Sequence, residues 1–387
     1  MEVKQIAEIM NGVTGEILGN GELVTEDLSN IVDVGTEILD KSNVDNYVKS
    51  LVNRIGKVIF VNRAYNGSAP SVMMDGWEFG SVLEKIACEL PNAEENSSWA
   101  LTDGQEYKQD VFHAPKVSAK FFNKKVTFEV TMSFTELQVK ESFGSAAELN
   151  GFLTMLANAV EKSMTIKMDS LIMRTINNMT AETLTKSLTY DPTKGFAGQT
   201  STRAVNLLKL YNDKFGTTLT ADKALTTQEF IRFSSLQIGL YRDRMSKIST
   251  LFNIGGKERF TAGTDLHMLL LSDFSSAANV YLQSDTFHNE LTALPNAETI
   301  PYWQGSGKSY DFASVSGINV KLDDKTSIAT GGILGVMFDR EALGVTNLDR
   351  RVTTAYNAKA EFFNNFFKFD AGYFNDLNEN FVVFFVA

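Results

Sequence analysis

The chain has 387 residues, 43% of them hydrophobic, and a formal net charge of −11. Its length allows two or three domains with a substantial core, and its 28 Phe and 11 Tyr residues exclude disorder as the main state. The single cysteine, Cys88, excludes an internal disulfide framework and a cysteine-based zinc site. The acidic balance argues against tight wrapping of nucleic acid by the whole molecule.

The sequence shows no secretory or membrane pattern. No run approaches 18 consecutive apolar residues, so we expect no membrane span and no membrane partner. The first residues lack a basic segment followed by an apolar core, which favours a protein that stays in a cytosol.

The first part of the chain, residues 1–70, has the pattern of short helices joined by glycine-rich turns. An apolar stripe at helical spacing is formed by Val3, Ile6, Met10 and Val13. A second apolar stripe at helical spacing follows at residues 44–59, and between the two stripes Gly12, Gly15, Gly19 and Gly21 are expected to interrupt any continuous helix. We therefore predict an N-terminal arm rather than a compact domain.

Residues 111–135 change to the two-residue period of β-strands. Apolar residues alternate with polar ones from Val126 to Phe134, after a shorter alternating run from Val117 to Phe121. The polar segment 123–125 between the runs predicts the turn of a long antiparallel hairpin. Because isolated hairpins are barely stable in water, we expect this one to lie on a neighbouring subunit. Its lysines are candidate inter-subunit contacts: Lys116, Lys120, Lys124 and Lys125.

The strongest helical pattern follows, at about 145–182, and residues 145–148 (Ser-Ala-Ala-Glu) are expected to open this helix as a capping box. Apolar residues recur at three- and four-residue steps from Leu149 to Met179, and no proline occurs until Pro192. Residues 186–345 then mix helical and strand patterns. We predict a helix capped by Ser201, another that begins at 226–229, and buried strands at 267–271 and 333–338. This mixture indicates an α+β or α/β domain.

The end of the chain is rich in phenylalanine. Residues 381–386 form a continuous apolar run, which predicts a strand that is buried on both faces. Since chain ends usually fray, this strand should pair within a sheet built by earlier segments.

No catalytic pattern is complete. Residues 305–309 (Gly-Ser-Gly-Lys-Ser) are typical of the end of a phosphate-binding loop, but Tyr302 occupies the first glycine position and no helix signal follows. The histidines His113, His267 and His288 lie in unrelated segments, and we expect the Cys88 thiol to be buried and inert. We predict no enzyme activity, no cofactor and no metal site.

Several segments in order resemble the major capsid proteins of tailed bacteriophages, which have the Hong Kong 97-like fold. The resemblance covers about residues 70–387, and four segments carry it: 77–86 (Trp-Glu-Phe-Gly-Ser-Val-Leu-Glu-Lys-Ile), 134–143 (Phe-Thr-Glu-Leu-Gln-Val-Lys-Glu-Ser-Phe), 335–344 (Gly-Val-Met-Phe-Asp-Arg-Glu-Ala-Leu-Gly) and 352–357 with 370–376. It implies an α+β Hong Kong 97-like fold with the following parts: an N-terminal arm at 1–70, a peripheral domain at 71–185 with an extended loop at about 86–141 and a spine helix at about 145–182, an axial domain at 186–345, and returning peripheral strands at 346–387.

The resemblance also implies a function. The chain would assemble with itself as hexamers and pentamers into the icosahedral head shell around double-stranded DNA, built in the cytoplasm of a host bacterium. Its implied partners are a separate scaffolding protein, a portal protein, decoration proteins, and packaged DNA held by non-specific contacts. The sequence leaves open a shell protein of an encapsulin-type compartment and, more remotely, a cytosolic nucleotide-binding enzyme that uses residues 305–309.

Overall fold

The computed structural model shows two compact units, each formed by three segments of the chain. One unit contains residues 1–78, 125–176 and 344–373, and the other contains 79–124, 177–343 and 374–387. The structure describes residues 3–18, 24–25, 29–30, 32–36, 49–50, 69–74, 83–91, 93, 95, 98–107, 110, 112–141, 146–283, 297–304, 311–322 and 326–387. Within these ranges, no helix combines the length and apolar character that a bilayer crossing requires.

The first unit begins with helix α1 (Val3–Leu18). Met10 and Val13 are fully buried on one face, as the apolar stripe predicts. The predicted interruption at Gly12 and Gly15 is wrong, because the helix continues through both residues. Burial of the apolar face compensates for the roughly 1 kcal/mol that each glycine costs a helix. The other helical pattern predicted in the arm, at residues 44–59, lies almost entirely outside the described residues.

A three-stranded antiparallel sheet organises the rest of the first unit, in the order β10 (Leu343–Asn357), β11 (Phe362–Asn375) and β3 (Lys125–Thr135). The central strand, β11, alternates buried and half-buried side chains and presents one phenylalanine face. Phe128 and Phe134 of β3 pack against Phe369 and Phe363 of β11, with ring centroids 5.1 and 6.0 Å apart. Cross-strand aromatic pairs of this kind stabilise a sheet and fix its register.

The hairpin predicted between residues 117–121 and 126–134 is wrong. Both runs are strands, but β2 (Val117–Phe122) pairs with β1 (Leu83–Cys88), whereas β3 pairs with β11. Alternation identifies a strand without identifying its partner. All eleven residues of β3 pair with β11, whereas the six-residue β2 could pair with only about half of its length.

The long helix predicted at about 145–182 is confirmed as α3 (Ala146–Ser187), which follows the short helix α2 (Glu136–Glu141). Its described side chains from Leu156 to Met179 include a continuous buried stripe at helical spacing. The capping residue expected at Ser145 lies outside the described residues.

A five-stranded mixed sheet forms the centre of the second unit. Its order is β4 (Ala204–Asn206), β12 (Phe381–Phe385), β9 (Ile333–Asp339), β5 (Leu266–Leu271) and β6 (Ala297–Ile300). Strand β12 is parallel to β4 and antiparallel to β9, and every one of its side chains is buried. The prediction that the C-terminal run pairs within a sheet of earlier segments is confirmed.

Helices pack on this sheet and complete its core. They are α4 (Leu207–Phe215), α6 (Gln228–Met245) and α7 (Ser272–Gln283), together with the short α5 (Ala221–Ala224) and α8 (Phe312–Val315). A small hairpin of β7 (Ile318–Lys321) and β8 (Ser327–Thr330) also belongs to this unit. The core joins Tyr211, Phe230 and Phe274 from the helices to Phe384 from β12.

Sequence patterns placed several of these elements correctly. The strands expected at 267–271 and 333–338 and the helix expected from 226–229 are confirmed. The predicted cap at Ser201 is wrong, because strand β4 intervenes and Asn206 caps α4, its side chain accepting a hydrogen bond from the Lys209 amide at 3.1 Å. The division into an arm, a peripheral and an axial domain stays a prediction.

Candidate assembly surface

The most exposed apolar side chains of the described residues lie on one long connection. This connection, residues 89–116, joins β1 to β2 and is called the β1–β2 loop below. Trp99 is 96% exposed and Phe112 is 89% exposed. Leu90, Leu101 and Tyr107 are also more than half exposed. Loops of this length are uncommon within a compact unit and are functional segments or linkers, and the exposed apolar side chains make this loop a candidate surface for a partner.

The β1–β2 loop has local order at its centre. Gly104 adopts a positive φ of 81°, which lets the chain turn where a larger side chain would be strained. The Tyr107 hydroxyl accepts a hydrogen bond from the Thr102 amide at 2.9 Å, which closes the turn. A loop that is already ordered loses less conformational entropy when it binds.

Strands β1 and β2 form an antiparallel pair, called the β1–β2 hairpin below. Its strands are held by an ion cluster of six residues: Lys85, Lys120, Arg259, Glu341, Asp376 and Glu379. The Lys85 ammonium lies 3.1 Å from Asp376 and 3.3 Å from Glu379, and the Lys120 ammonium lies 2.9 Å from Asp376. Arg259 pairs with the second oxygen of Glu379 at 3.3 Å. Both carboxylates are nearly buried, with side-chain exposures of 4% and 11%.

Burial and charge act in opposite directions on this cluster. Burial alone would raise the pKa of Asp376, but the hydrogen bond from Lys120 and the charge of Lys85 hold that pKa below its ordinary value. Burial alone would lower the pKa of Lys85, but Glu379, Asp376 and Glu341 raise it above its ordinary value. Asp376 and Lys85 are therefore both charged at neutral pH.

Two further contacts hold the hairpin on its unit. Lys257 pairs with Glu89, the residue that follows β1, at 2.8 Å. The rings of Phe122 on β2 and Phe374 lie 4.9 Å apart. The hairpin base thus joins its unit through side chains of both strands, while its loop carries the exposed apolar groups.

The four lysines proposed from the sequence have different surroundings. Lys120 is engaged within the chain by Asp376. Lys116, Lys124 and Lys125 have exposed side chains. Lys125 opens β3 opposite Gly372. Burial raises the pKa of Asp370, but hydrogen bonds from Thr127 and Arg351, the charge of Arg351 and, least, the charge of Lys125 lower it overall. A contact of any of the four with a neighbouring subunit stays a prediction.

Sequence reasoning missed the ion cluster and misplaced one residue. Lys85, Arg259, Asp376 and Glu379 come from three distant segments, and no local pattern brings them together. The expectation of a buried Cys88 is wrong, because this residue ends β1 on its exposed face. Residues 305–309 lie outside the described residues. Among the side chains that are described, no group of three or more His, Cys, Asp and Glu is arranged to hold a metal ion.

The family comparison identifies the class of protein to which the chain belongs. The model of the family described as Phi29-like phage major capsid protein matches residues 6–385. The chain therefore belongs to that family of structural capsid proteins, whose role is to form the shell of the virion head, and it is not an enzyme.

Solved structures share the fold at low sequence identity. A chain of the capsid structure of Staphylococcus phage Andhra is 9% identical, with a TM-score of 0.51 and coverage of 84% of this chain and 86% of that one. A chain of the structure of head fiber and inner core protein gp22 of native bacteriophage P68 is also 9% identical, with a TM-score of 0.50 and the same coverages. No curated protein matches.

Proposed function

We propose that the chain assembles as hexamers and pentamers into an icosahedral head shell, with the β1–β2 loop lying over an adjacent subunit. The observation that carries this proposal is the exposure of Trp99 and Phe112 on the β1–β2 loop, in which the hydrogen bond from Thr102 to Tyr107 closes a turn. Large aromatic side chains dominate the energetics of protein interfaces when they become buried. In a shell built from one protein, the partner that buries these side chains is a second copy of the chain.

Exposed charges near the strands would contribute to the same contacts. Lys124 and Lys125 lie next to each other with exposed side chains, and we propose that they face acidic groups of a neighbouring subunit. Lys116 would add a further contact from the start of β2. Because exposed ion pairs are weak, their role is to select the orientation of the contact rather than to supply its strength.

Other partners follow from the same role. The net charge of −11 supports packaged double-stranded DNA held only by non-specific contacts, because a shell must release its genome. A separate scaffolding protein, a portal protein and decoration proteins would complete the head. Assembly would take place in the host bacterial cytoplasm. The proposed regions are an arm at 1–70, peripheral segments at 71–185 and 346–387, and an axial domain at 186–345.

Negative-stain electron microscopy of Trp99→Ser/Phe112→Ser beside the wild-type chain tests the loop contact. We expect shells or capsomers from the wild type, alone or with scaffold, and dispersed subunits from the variant at an unchanged melting temperature. The conservative variant Trp99→Phe keeps an aromatic surface and should assemble. Assembly of the double serine variant at the wild-type yield would reject the proposed role of the loop.

A further inference from the structure

Lys85 and Lys120 face each other directly across the β1–β2 hairpin. They are register partners in the antiparallel ladder, and both side chains lie on the half-buried face rather than on the solvent face. Two ammonium groups at directly opposite positions repel each other and destabilise the pair of strands. The hairpin therefore needs an anion at this position to keep its strands together.

Asp376 supplies that anion with one oxygen for each lysine. Its Oδ2 lies 3.1 Å from the Lys85 ammonium and its Oδ1 lies 2.9 Å from the Lys120 ammonium. Asp376 belongs to the turn between β11 and β12, far from the hairpin in sequence. One carboxylate thus neutralises the repulsion within the hairpin and attaches both strands to the unit.

The turn that carries Asp376 is itself fixed. The Asp376 amide donates to the Ala342 carbonyl at 2.7 Å, and its Oδ1 accepts from the Asn378 amide at 3.1 Å. The Gly255 amide donates to the Leu377 carbonyl at 2.8 Å. The position of the Asp376 carboxylate is therefore fixed by its own turn, and the ion pairs with Lys85 and Lys120 fix the hairpin relative to that turn.

We infer that Asp376 is a positioning residue for assembly: by bridging Lys85 and Lys120 it sets the direction in which the β1–β2 loop leaves its unit. This inference rests on the proposed contact of that loop with a neighbouring subunit. A loop that bears Trp99 and Phe112 binds strongly only when its base is held in one orientation, because each additional orientation reduces the population that is competent to bind.

Asp376→Asn tests the inference with little change of shape, since the amide oxygen still accepts from Asn378. Hydrogen exchange measured by mass spectrometry should become about tenfold faster in β1 and β2, because the charge-assisted contacts that close the hairpin are lost. Exchange in β12 should stay unchanged. Asp370→Asn, which removes a carboxylate paired with Arg351 at 3.0 Å in the other unit, is the matched control and should leave the hairpin protected.

A second substitution separates positioning from a general loss of structure. In Lys120→Gln/Asp376→Asn the two opposed ammonium groups are reduced to one, and Lys85 keeps Glu379 and Glu341. Protection of the hairpin and shell yield should therefore recover toward wild-type values relative to Asp376→Asn alone. If the single variant does not fold, the double variant should fold. A double variant as defective as the single one would overturn the inference.

Exchange and assembly report on different claims. Unchanged hairpin exchange in Asp376→Asn would show that this carboxylate does not hold the strands. Faster exchange with wild-type shell yield would show that the orientation of the hairpin does not matter for assembly. Either result overturns the inference. Failure of the wild-type chain to form shells or capsomers would instead reject the proposed function, while the exchange data would still show whether Asp376 holds the hairpin.

Discussion

The C-terminal strand and the β1–β2 hairpin belong to the same unit, but different forces hold them. In β12 every side chain from Phe381 to Phe385 is buried, and strands of the five-stranded sheet flank it on both sides. In β1 exposed and half-buried side chains alternate, and ions with one aromatic pair attach the hairpin to the unit. Apolar burial is nondirectional and strong, whereas the ion pairs depend on geometry.

This difference separates folding from assembly. The strand β12 completes the core, so changes there should alter the stability of the chain. The β1–β2 loop contributes little to that core, so changes there should alter association while the subunit stays folded. Three predictions test how far this separation holds, ordered from the largest expected effect to the smallest.

Phe384→Ala should have the largest effect on stability. The ring is fully buried and lies 5.4 Å from the Tyr241 ring in an edge-to-face arrangement. Its loss removes buried apolar surface and leaves a cavity, so the free energy of unfolding should fall by about 3–5 kcal/mol. Phe112→Ala is the control from the loop and should change it by less than about 0.5 kcal/mol. Chemical denaturation measures both, and equal losses would contradict the separation.

Gly332→Ala should destabilise the attachment of the chain end. Gly332 has a φ of 76°, and an added Cβ would lie 2.0 Å from the Val386 carbonyl oxygen. Left-handed strain and displacement of the backbone should together cost about 2–4 kcal/mol. Gly256→Ala has a similar φ of 63° but open space around the added atom, so only strain of about 1–2 kcal/mol should appear. Thermal melts of the two variants should therefore differ, and identical melts would exclude the clash.

The attachment of the hairpin should be insensitive to pH near neutrality. The lowered pKa of Asp376 means that its contribution is present above its ordinary pKa of about 3.9 and is lost as the pH falls through the lower folded value. The raised pKa of Lys85 means that its contribution is present below its ordinary pKa of about 10.4 and is lost as the pH rises through the higher folded value.

Hydrogen exchange of β1 and β2, corrected for intrinsic rates, should accordingly stay constant from about pH 5 to pH 9 and increase only below about pH 4. The groups that face Asp376 are Lys85 and Lys120, and Glu379 and Glu341 with Arg259 complete the cluster. A marked loss of protection between pH 5 and pH 7 would show that another group controls the hairpin.

Local patterns in the sequence predicted elements well and partners poorly. The period of α3 and the apolar runs of β5, β9 and β12 identified these elements because each pattern is contained within one segment. A local pattern of this kind does not identify the strand with which β2 pairs. Strand β1 carries a weak alternation, and it lies before a long loop that separates it from β2.

The ion cluster shows the same limit at the level of single residues. Lys120 was identified as a charge in an alternating strand, and a contact with a neighbouring subunit was predicted for it. In the structure Lys120 forms an ion pair with Asp376, which lies 256 residues further along the chain. The exposed Trp99 and Phe112 could have been noticed as isolated aromatic residues in a polar segment, but only the structure shows that both are exposed.

Photo-crosslinking from position 99 within assembled shells tests the central claim most directly. A photoreactive phenylalanine analogue in place of Trp99 keeps the aromatic surface, and irradiated shells should yield covalent dimers and higher multimers on a denaturing gel. Dissociated subunits irradiated under the same conditions should yield none. Crosslinks confined to a single chain within assembled shells would contradict the claim that the β1–β2 loop lies on a neighbouring subunit.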